Sequence, residues 1–390
     1  MNIRSCLRSR SARVLGSFAA LLMWSLQPAN AAVSTEKLPE AGLQPQAIVA
    51  PDGTVHLLCL TGDPKAADVV YRKQRAGAAD WTAPLRVNSQ PGSAIAIGTI
   101  RGAQFALGRA GRVHVAWNGS GAARPKPPHG GSPMLYARLN DDGAGFSEQR
   151  NLMSNTHELD GGGSVAADKD GRVFVVWHAS AAGSRGETNR AVFIASSSDD
   201  GAIFASERPV SPQGMGACGC CGLTALSSER GDLSILFRTA RTMTRRDMAL
   251  LVSSDHGERF AETFSHPWSV ATCPMSSANL TDSAQGTWAA WESAGRIHFA
   301  RFSRDASSPD VRTIGPVKGA KHPRVAINAR GEIVVVWTEG TGWQRGGALA
   351  WQVFDASGAP TADKGRRDGL PAWSFATTYA RPDGSFVILY

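Results

Sequence analysis

The chain has 390 residues and a formal net charge of +8, so it is long enough for one large domain or two ordinary ones. The positive charge is spread along the sequence without a long basic run, which argues against nucleic acid as a partner. After the N-terminal segment, no stretch reaches the roughly 20 apolar residues that a transmembrane helix needs, so no membrane span is expected.

Residues 1–31 have the pattern of a secretory signal peptide. Four arginines precede an apolar run over 14–26, and the triplet 29–31 fits a small-x-small cleavage site. Loss of these arginines lowers the formal net charge from +8 to +4. The pattern predicts a periplasmic or secreted protein whose mature part, residues 32–390, forms a single domain.

A hydrophobic unit recurs seven times along the mature chain. Each copy has a short strand, a turn with glycine, and an apolar run that often ends in tryptophan. The glycine turns allow the positive φ of tight hairpins, and the apolar run suits a strand buried on both faces. The spacing of about 46 to 60 residues is typical of propeller blades. The copies begin at Gln46, Gln104, Ser164, Thr224, Ala278, Arg324 and Ser374.

Six copies are followed by enough sequence for four strands each, whereas the seventh contains only an inner hairpin. The segment 33–38 is predicted to add an outer strand to that hairpin, which would close the ring and protect its edge. The sequence therefore predicts an all-β protein, a β-propeller with six or seven blades and very little helix.

The turn after the third strand of a blade carries a second motif. Two copies read S-x-D-x-G-x-x-F, with Asp199 and Asp255 at the acidic position, and a degenerate third copy has Asp141. An aspartate oxygen here is expected to accept backbone N–H groups, while glycine permits a positive φ and the aromatic residue packs into the blade. We therefore expect structural roles for these three aspartates.

This motif resembles the Asp-box, or BNR, repeat of the sialidase superfamily, and with the hairpin units the resemblance covers nearly the whole mature chain. It implies a sialidase-like β-propeller whose Asp-boxes lie opposite the active site. Sialidases also use an arginine triad, an early Arg-Ile-Pro motif, an aspartic acid and a tyrosine nucleophile helped by glutamate. Arg-Ile-Pro is absent here and tyrosine is scarce, so we expect a divergent member with little or no sialidase activity.

The loops that lead into the first strand of each blade and out of the second share one face of such a propeller, where ligands usually bind. Arginine is frequent in these loops, and its guanidinium group binds carboxylates and other anions through paired hydrogen bonds. A tryptophan there could stack on a sugar. For a small anionic or glycan ligand, the predicted binding residues are Arg101, Arg238, Arg241, Arg324 and Trp343.

The most distinctive feature is a cluster of three cysteines within four residues, Cys218, Cys220 and Cys221, together with Cys273. Repeat alignment places these segments before the first strands of adjacent blades, so they are predicted to face each other near the channel mouth. Exported cysteines commonly form disulfides. Clustered thiolates also bind Cu(I) and other soft metals, and a redox role is a third alternative. Cys59 lies in a predicted buried strand and is expected to be an inert thiol.

Three functional hypotheses follow from these patterns. The first is an exported binding module for an anionic or glycan ligand, with a cysteine-rich lock or soft-metal site at the channel mouth. The second is an exo-acting, sialidase-type glycoside hydrolase on acidic glycans. The third is a periplasmic copper-handling protein, which requires free thiols within bonding distance. Copper or another soft metal is the one cofactor that the sequence suggests.

Overall fold

The computed structural model describes residue 1 and the stretches 32–303, 308–315 and 319–390, so residues 2–31 of the predicted signal peptide lie outside it. The described residues form seven small sheets arranged as a seven-bladed β-propeller. Two short 3₁₀ turns, Arg109–Gly111 and Glu187–Asn189, are the helical segments of this part of the chain. None of its helical segments is long and apolar enough to cross a membrane.

The strands are numbered in chain order, and β1 (Val33–Glu36) belongs to the last blade. Blade 1 contains β2 (Leu43–Val49), β3 (Val55–Asp63), β4 (Ala66–Gln74) and β5 (Leu85–Arg86). Blade 2 contains β6 (Gln104–Leu107), β7 (Val113–Asn118), β8 (Met134–Arg138) and β9 (Arg150–Asn151). Blade 3 contains β10 (Thr156–His157), β11 (Ser164–Ala167), β12 (Val173–Ala181), β13 (Ala191–Ser197) and β14 (Arg208–Pro209).

Blade 4 contains β15 (Thr224–Ser227), β16 (Leu233–Arg238), β17 (Met248–Ser253) and β18 (Ala261–His266), and blade 5 contains β19 (Asn279–Ser283), β20 (Gly286–Ser293), β21 (Arg296–Phe302) and β22 (Arg312–Ile314). Blade 6 contains β23 (Lys321–Ile327), β24 (Ile333–Glu339), β25 (Gly347–Phe354) and β26 (Pro360–Leu370). Blade 7 contains β27 (Thr377–Ala380) and β28 (Phe386–Leu389), together with β1. Neighbouring strands of blades 1 to 6 pair antiparallel. The seven inner strands line the central channel.

The ring is closed by a strand from the beginning of the mature chain. β1 pairs parallel with β28, with Val33 opposite Phe386 and Glu36 opposite Leu389. The Tyr390 amide donates to the Glu36 carbonyl at 3.1 Å and extends this pairing. The structure confirms that the segment 33–38 completes the last blade, and it resolves the count of blades to seven.

The hydrophobic core lies between the blades. The part of the chain that the structure describes has seven buried clusters, one at each interface between neighbouring blades. At one interface, Trp177 and Phe193 of blade 3 pack with Met134 and Tyr136 of blade 2. The tryptophans near the ends of four second strands are at most 5% exposed and pack between blades, namely Trp117, Trp177, Trp291 and Trp337.

Two of the Asp-box turns are organised by side-chain hydrogen bonds. Asp199 Oδ1 accepts from Ser197 Oγ at 2.7 Å and from the Ile203 amide at 2.8 Å. Ser197 Oγ accepts the Gly201 amide at 3.0 Å, and Gly201 has a φ of 75°. Asp255 makes the equivalent two bonds at 2.8 and 2.9 Å.

The degenerate third turn differs from this expectation. Leu139 stands where the other copies have serine, so no hydroxyl is available to bind the turn amides. Asp141 instead accepts a hydrogen bond from Arg112, which directly precedes β7 of the same blade, and Asp142 accepts the Ala144 amide at 2.9 Å. The turn therefore keeps its shape with a different aspartate in the organising role.

We predict that Asp199→Ala or Asp255→Ala lowers the melting temperature, on the order of 2 °C, because turn amides lose their acceptor. Ligand binding should be unchanged, since these turns do not contribute to the mouth described below. Differential scanning calorimetry measures the shift, with Glu258→Ala in the same turn as Asp255 as the matched control. A loss of ligand binding at an unchanged melting temperature would contradict the structural role.

Candidate functional site

Four loops and the beginning of β23 meet at one end of the channel, where the chain approaches the inner strands. Hydrogen bonds connect them: Arg101 Nε donates to the Asp160 carbonyl at 2.8 Å, and the Gly222 amide donates to the Ser276 carbonyl at 3.1 Å. These contacts join loops from four different blades. We call this region the mouth, and it consists of residues 97–101, 160–163, 218–223, 273–277 and 321–323.

The loop 97–101 crosses the channel at the mouth. A Cβ atom built on Gly162 would lie 2.1 Å from the Ile100 carbonyl oxygen, so this approach requires glycine at position 162. Ile100 is only 7% exposed. The channel behind it has a cavity volume of about 390 Å³. The mouth is therefore a packed surface, and a ligand on this face meets the loops rather than an open funnel.

Three cysteine thiols converge in the mouth. Cys218 Sγ lies 3.4 Å from Cys220 Sγ and 3.4 Å from Cys221 Sγ, and all three sulfur atoms lie within 4.8 Å of one another. Backbone bonds hold this turn, since the Cys221 amide donates to the Cys218 carbonyl at 3.3 Å. The Gly219 amide donates to Glu187 Oε1 at 2.7 Å. We call Cys218, Cys220 and Cys221 the thiol cluster.

Cys273 lies beside the thiol cluster, on the neighbouring blade. Its side chain is exposed. The bond from Gly222 to Ser276 holds the two segments side by side. The predicted link between Cys273 and the cluster, as a disulfide or through a shared metal, remains a prediction. Cys59 lies elsewhere and is 5% exposed, and burial raises its pKa to about 11.

Three arginines surround the thiol cluster. The Arg238 carbonyl accepts the Cys218 amide at 2.9 Å, and a Cβ built on Gly219 would lie 3.3 Å from Arg190 Cζ. Arg238 and Arg246 are 2% and 6% exposed. Buried N–H groups of all three make no hydrogen bond within the described residues, namely Arg190 Nε, Arg238 Nε, Arg246 Nε and Arg246 Nη1. The cluster therefore lies among cations that still have free donors.

The thiols of the cluster differ in acidity. Hydrogen bonds with its two neighbours, then burial, raise the pKa of Cys218. Burial opposes ionisation of Cys221, yet hydrogen bonds from Cys218 and Cys220 and the charge of Arg238 bring its pKa well below the usual value. Ionisation of Cys221 is thus favoured by the Cys218 thiol at 3.4 Å and by the charge of Arg238, and such surroundings are typical of reactive cysteines.

The four arginines predicted to bind a ligand have separate partners in the structure. Arg101 pairs with Asp160, and Arg241 Nε lies 3.3 Å from the buried carboxylate of Asp247. The Arg238 guanidinium stacks on Trp268 at 4.6 Å. Arg324 stacks on Phe375 at 4.4 Å, and burial lowers its pKa to about 10. Of the four predicted arginines, the structure therefore places Arg238 beside the thiol cluster, while Arg101, Arg241 and Arg324 each contact a different partner.

Trp343 is the predicted ligand-binding residue with the greatest exposure. It is 55% exposed and lies edge-to-face with Trp373 at a centroid distance of 6.2 Å. Together with Lys321 and Met275, the two rings border a shallow hollow of about 40 Å³ beside the mouth. We call the Trp343 and Trp373 pair the aromatic shelf.

The described tyrosines lie away from the mouth. The hydroxyl groups of Tyr71 and Tyr136 are each 2.8 Å from a histidine Nδ1, of His56 and His114 respectively. Both rings are at most 2% exposed. Tyr379 lines the channel from the last blade. The geometry thus provides no tyrosine at the mouth among the described residues.

Sequence reasoning did not identify Glu187, Arg190 or the part of loop 97–101 that covers the channel. Glu187 Oε2 accepts from Arg246 at 2.6 Å, so it links the thiol cluster to a buried cation. Both Glu187 and Arg190 belong to the loop between β12 and β13, which leaves a second strand. That position was a usable signal, because such loops share the face on which the cysteines lie.

His322 connects two loops of the mouth. It is 2% exposed, and its Nε2 atom lies 2.7 Å from Thr99 Oγ1. Its Nδ1 atom accepts from the Ser277 amide at 3.3 Å. Burial, followed by the charges of Lys321 and Arg324, lowers the pKa of His322 to about 3. The ring is therefore neutral in the folded protein over most of the pH range.

No model of a known protein family matches the chain, and no curated protein matches it significantly. Similar solved structures include sialidases and other propellers. A Penicillium chrysogenum alpha-L-arabinanase complexed with arabinobiose has 12% identity and a TM-score of 0.53, over 84% of this chain and 97% of that one. A fungal alcohol oxidase of the AA5 family in complex with copper has 14% identity and a TM-score of 0.53, over 90% and 70%.

A Hadza microbial sialidase has 11% identity and a TM-score of 0.49, over 81% of this chain and 69% of that one. At such identities, the similarity to the arabinanase and the oxidase shows a shared propeller fold and does not extend to ligand or activity.

We predict that stability falls as the pH drops below about 6.5, because the unfolded chain then binds a proton that buried His322 excludes. By pH 5 this one group should cost about 2 kcal/mol, and the loss should continue down to its folded pKa. His322→Asn removes the titrating ring and should therefore flatten this pH dependence. Asparagine tolerates the positive φ of 51° at this position, so the backbone can keep its conformation. Urea unfolding at pH 5 to 7.5 measures it, with exposed His256→Asn as the control. Equal pH slopes for His322→Asn and wild type would contradict the assignment.

Proposed function

We propose that the protein is an exported β-propeller that binds a soft metal ion, best matched by Cu(I), through the thiol cluster. The observation that carries the proposal is the convergence of three sulfur atoms within 4.8 Å of one another. Sulfur ligands about 2.3 Å from one ion in a trigonal arrangement lie about 4.0 Å apart. The two separations of 3.4 Å are close to that value, so small side-chain rotations suffice to bind an ion.

The charges around the cluster support an anionic metal–thiolate complex. Cu(I) with three thiolates carries a charge of −2, and a divalent ion would leave −1. Arg190, Arg238 and Arg246 supply three positive charges, against the carboxylates of Glu187 and Glu292. Burial raises the pKa of Glu292, so the net charge of these five residues lies between +1 and +2. The surroundings therefore balance a bound soft metal.

A disulfide within the cluster is the alternative that an oxidising compartment favours. It would consume two of the thiols and leave neutral sulfur atoms beside Arg190, Arg238 and Arg246. Arg238 and Arg246 would keep Glu292 and Glu187 as ion-pair partners, but the neutral sulfur atoms would add no negative charge to offset the remaining positive charge. Metal-bound thiolates would supply that negative charge, which favours the metal over the disulfide.

Glycan binding by the aromatic shelf is a second candidate function. Trp343 is 55% exposed, which is unusual for so large an apolar ring, and Trp373 supports it from the side. Lys321 at the edge of the hollow would attract an acidic sugar. Exposed aromatic faces stack on the apolar faces of sugars, so the shelf suits one or two residues of an acidic glycan.

We predict that the reduced protein binds one Cu(I) per chain and that Cys218→Ser, Cys220→Ser and Cys221→Ser each weaken binding at least roughly 100-fold, since each removes a ligand. Cys59→Ala removes a thiol outside the site and should bind as wild type does. Competition with a Cu(I) chelator gives the affinities, and melting temperatures confirm folding. A disulfide within the cluster, in protein purified without metal from its native compartment, would contradict the proposal.

We predict that Trp343→Ala abolishes binding of an acidic oligosaccharide while leaving Cu(I) affinity unchanged, because the aromatic shelf is separate from the thiol cluster. A sialylated oligosaccharide array followed by calorimetry provides the measurement. Trp351→Ala, at a half-buried tryptophan of blade 6 outside the mouth, is the matched control. Equal glycan binding by Trp343→Ala and wild type would eliminate the shelf as the glycan site.

A further inference from the structure

The four cysteines at the mouth differ in their access to solvent. Cys218 and Cys221 are 1% and 2% exposed, Cys220 is half-buried, and Cys273 is exposed. The segment of Cys273 is held beside the cluster by the bond from the Gly222 amide to the Ser276 carbonyl at 3.1 Å, and Cys220 Sγ is 3.4 Å from Cys218 Sγ. The exposure of the four thiols thus decreases from Cys273 through Cys220 to the buried Cys218 and Cys221.

Other sides of the thiol cluster are covered by protein. Glu187 lies over one side, where it accepts from the Gly219 amide at 2.7 Å and from Arg246 at 2.6 Å. On another side, His178 Nε2 lies 2.9 Å from the Cys221 carbonyl, and both residues are buried. An ion that reaches the buried sulfurs therefore approaches most directly from the side of Cys220 and Cys273.

The backbone around Cys273 differs from that around the cluster. The cluster is held by bonds from the Cys218 amide to the Arg238 carbonyl and from the Cys221 amide to the Cys218 carbonyl. Cys273 belongs instead to residues 267–278, which connect β18 to β19 without forming a strand. Cys273 is exposed, so its side chain has room to rotate while the backbone bonds of the cluster stay in place.

We propose that Cys273 is an exchange thiol through which soft metal reaches and leaves the thiol cluster. The proposal rests on the proposed function. Its partner class is a Cu(I) complex with exchangeable soft or nitrogen ligands, whether a small molecule or a donor protein. Its role is transient, in contrast to the permanent ligands Cys218, Cys220 and Cys221.

The transfer requires ligand exchange alone. A bond from Cu(I) to Cys273 sulfur forms as a bond from Cu(I) to the donor ligand breaks, and the donor leaves with its electron pair. The thiol proton of Cys273 passes to solvent. Cys220 then binds the ion and releases its thiol proton to solvent, while Cys273 leaves with its electron pair and regains a proton. Cys218 and Cys221 replace the remaining donor ligands in the same way, and each releases its thiol proton. Copper stays in the Cu(I) state, so the sequence needs neither an oxidant nor a reductant.

The experiment mixes reduced protein with the Cu(I)–bicinchoninate complex in a stopped-flow instrument and follows the loss of the complex's colour. Release is followed by adding excess bicinchoninate to loaded protein. Cys273→Ser should keep one Cu(I) per chain and an affinity within about threefold of wild type, with loading and release both slowed at least about tenfold. Both rates change together because an exchange thiol lowers a barrier without altering the end states. Cys59→Ala is the control.

The conservative variant Cys273→Met should recover much of the rate, since a thioether also binds Cu(I). Unchanged rates in Cys273→Ser would overturn the inference, as would a large loss of affinity, which would make Cys273 a permanent ligand. Failure of the wild-type protein to bind Cu(I) would refute the proposed function and the inference with it. The wild-type affinity and the ratio of variant to wild-type rates therefore separate the two failures.

Discussion

The pairing of β1 with β28 is the constraint on which the rest of this structure depends. Each blade buries its apolar faces only against its two neighbours, so an open ring would leave two faces exposed. The backbone hydrogen bonds of β1 join the beginning of the mature chain to its end, and Arg381 adds an ion pair to Glu36 at 2.9 Å. Closure sets the positions of the seven inner strands, and these strands set where the loops of the mouth meet.

The mouth shows how a ring of blades can assemble a site from distant sequence. The thiol cluster precedes β15 and Cys273 precedes β19, yet the backbone hydrogen bond from Gly222 to Ser276 joins the two segments. Burial then determines the electrostatic properties of the site. Arg238 and Arg246 are nearly inaccessible to water, so their charges act strongly on neighbouring sulfur atoms. Such an environment favours ligands that carry negative charge when bound to metal.

Most of the fold could be predicted from the sequence because its signals are local. Glycine turns and doubly apolar strands define each hairpin within about 15 residues. The number of blades was ambiguous, because it depends on the non-local pairing of β1 with β28. The third Asp-box differed because Leu139 replaces the serine that organises the other two turns, and Asp142 rather than Asp141 takes over.

The site was only partly predictable. Repeat alignment indicated that Cys218 and Cys273 belong to loops of adjacent blades, because this placement depends only on the order of the blades along the chain. The position of Arg190 and Glu187 after a second strand indicates the correct face, but the direction of side chains in irregular loops has no periodic signal that would assign them to the cluster. The passage of loop 97–101 across the channel depends on a close backbone approach at Gly162, which a single glycine in a sequence does not reveal.

X-ray absorption at the copper K-edge of the Cu(I)-loaded protein tests the central claim most directly. A site formed by the thiol cluster predicts a three-coordinate edge and three sulfur neighbours at about 2.3 Å. A first shell of nitrogen or oxygen, or only one sulfur neighbour, would contradict it and would place the metal outside the thiol cluster.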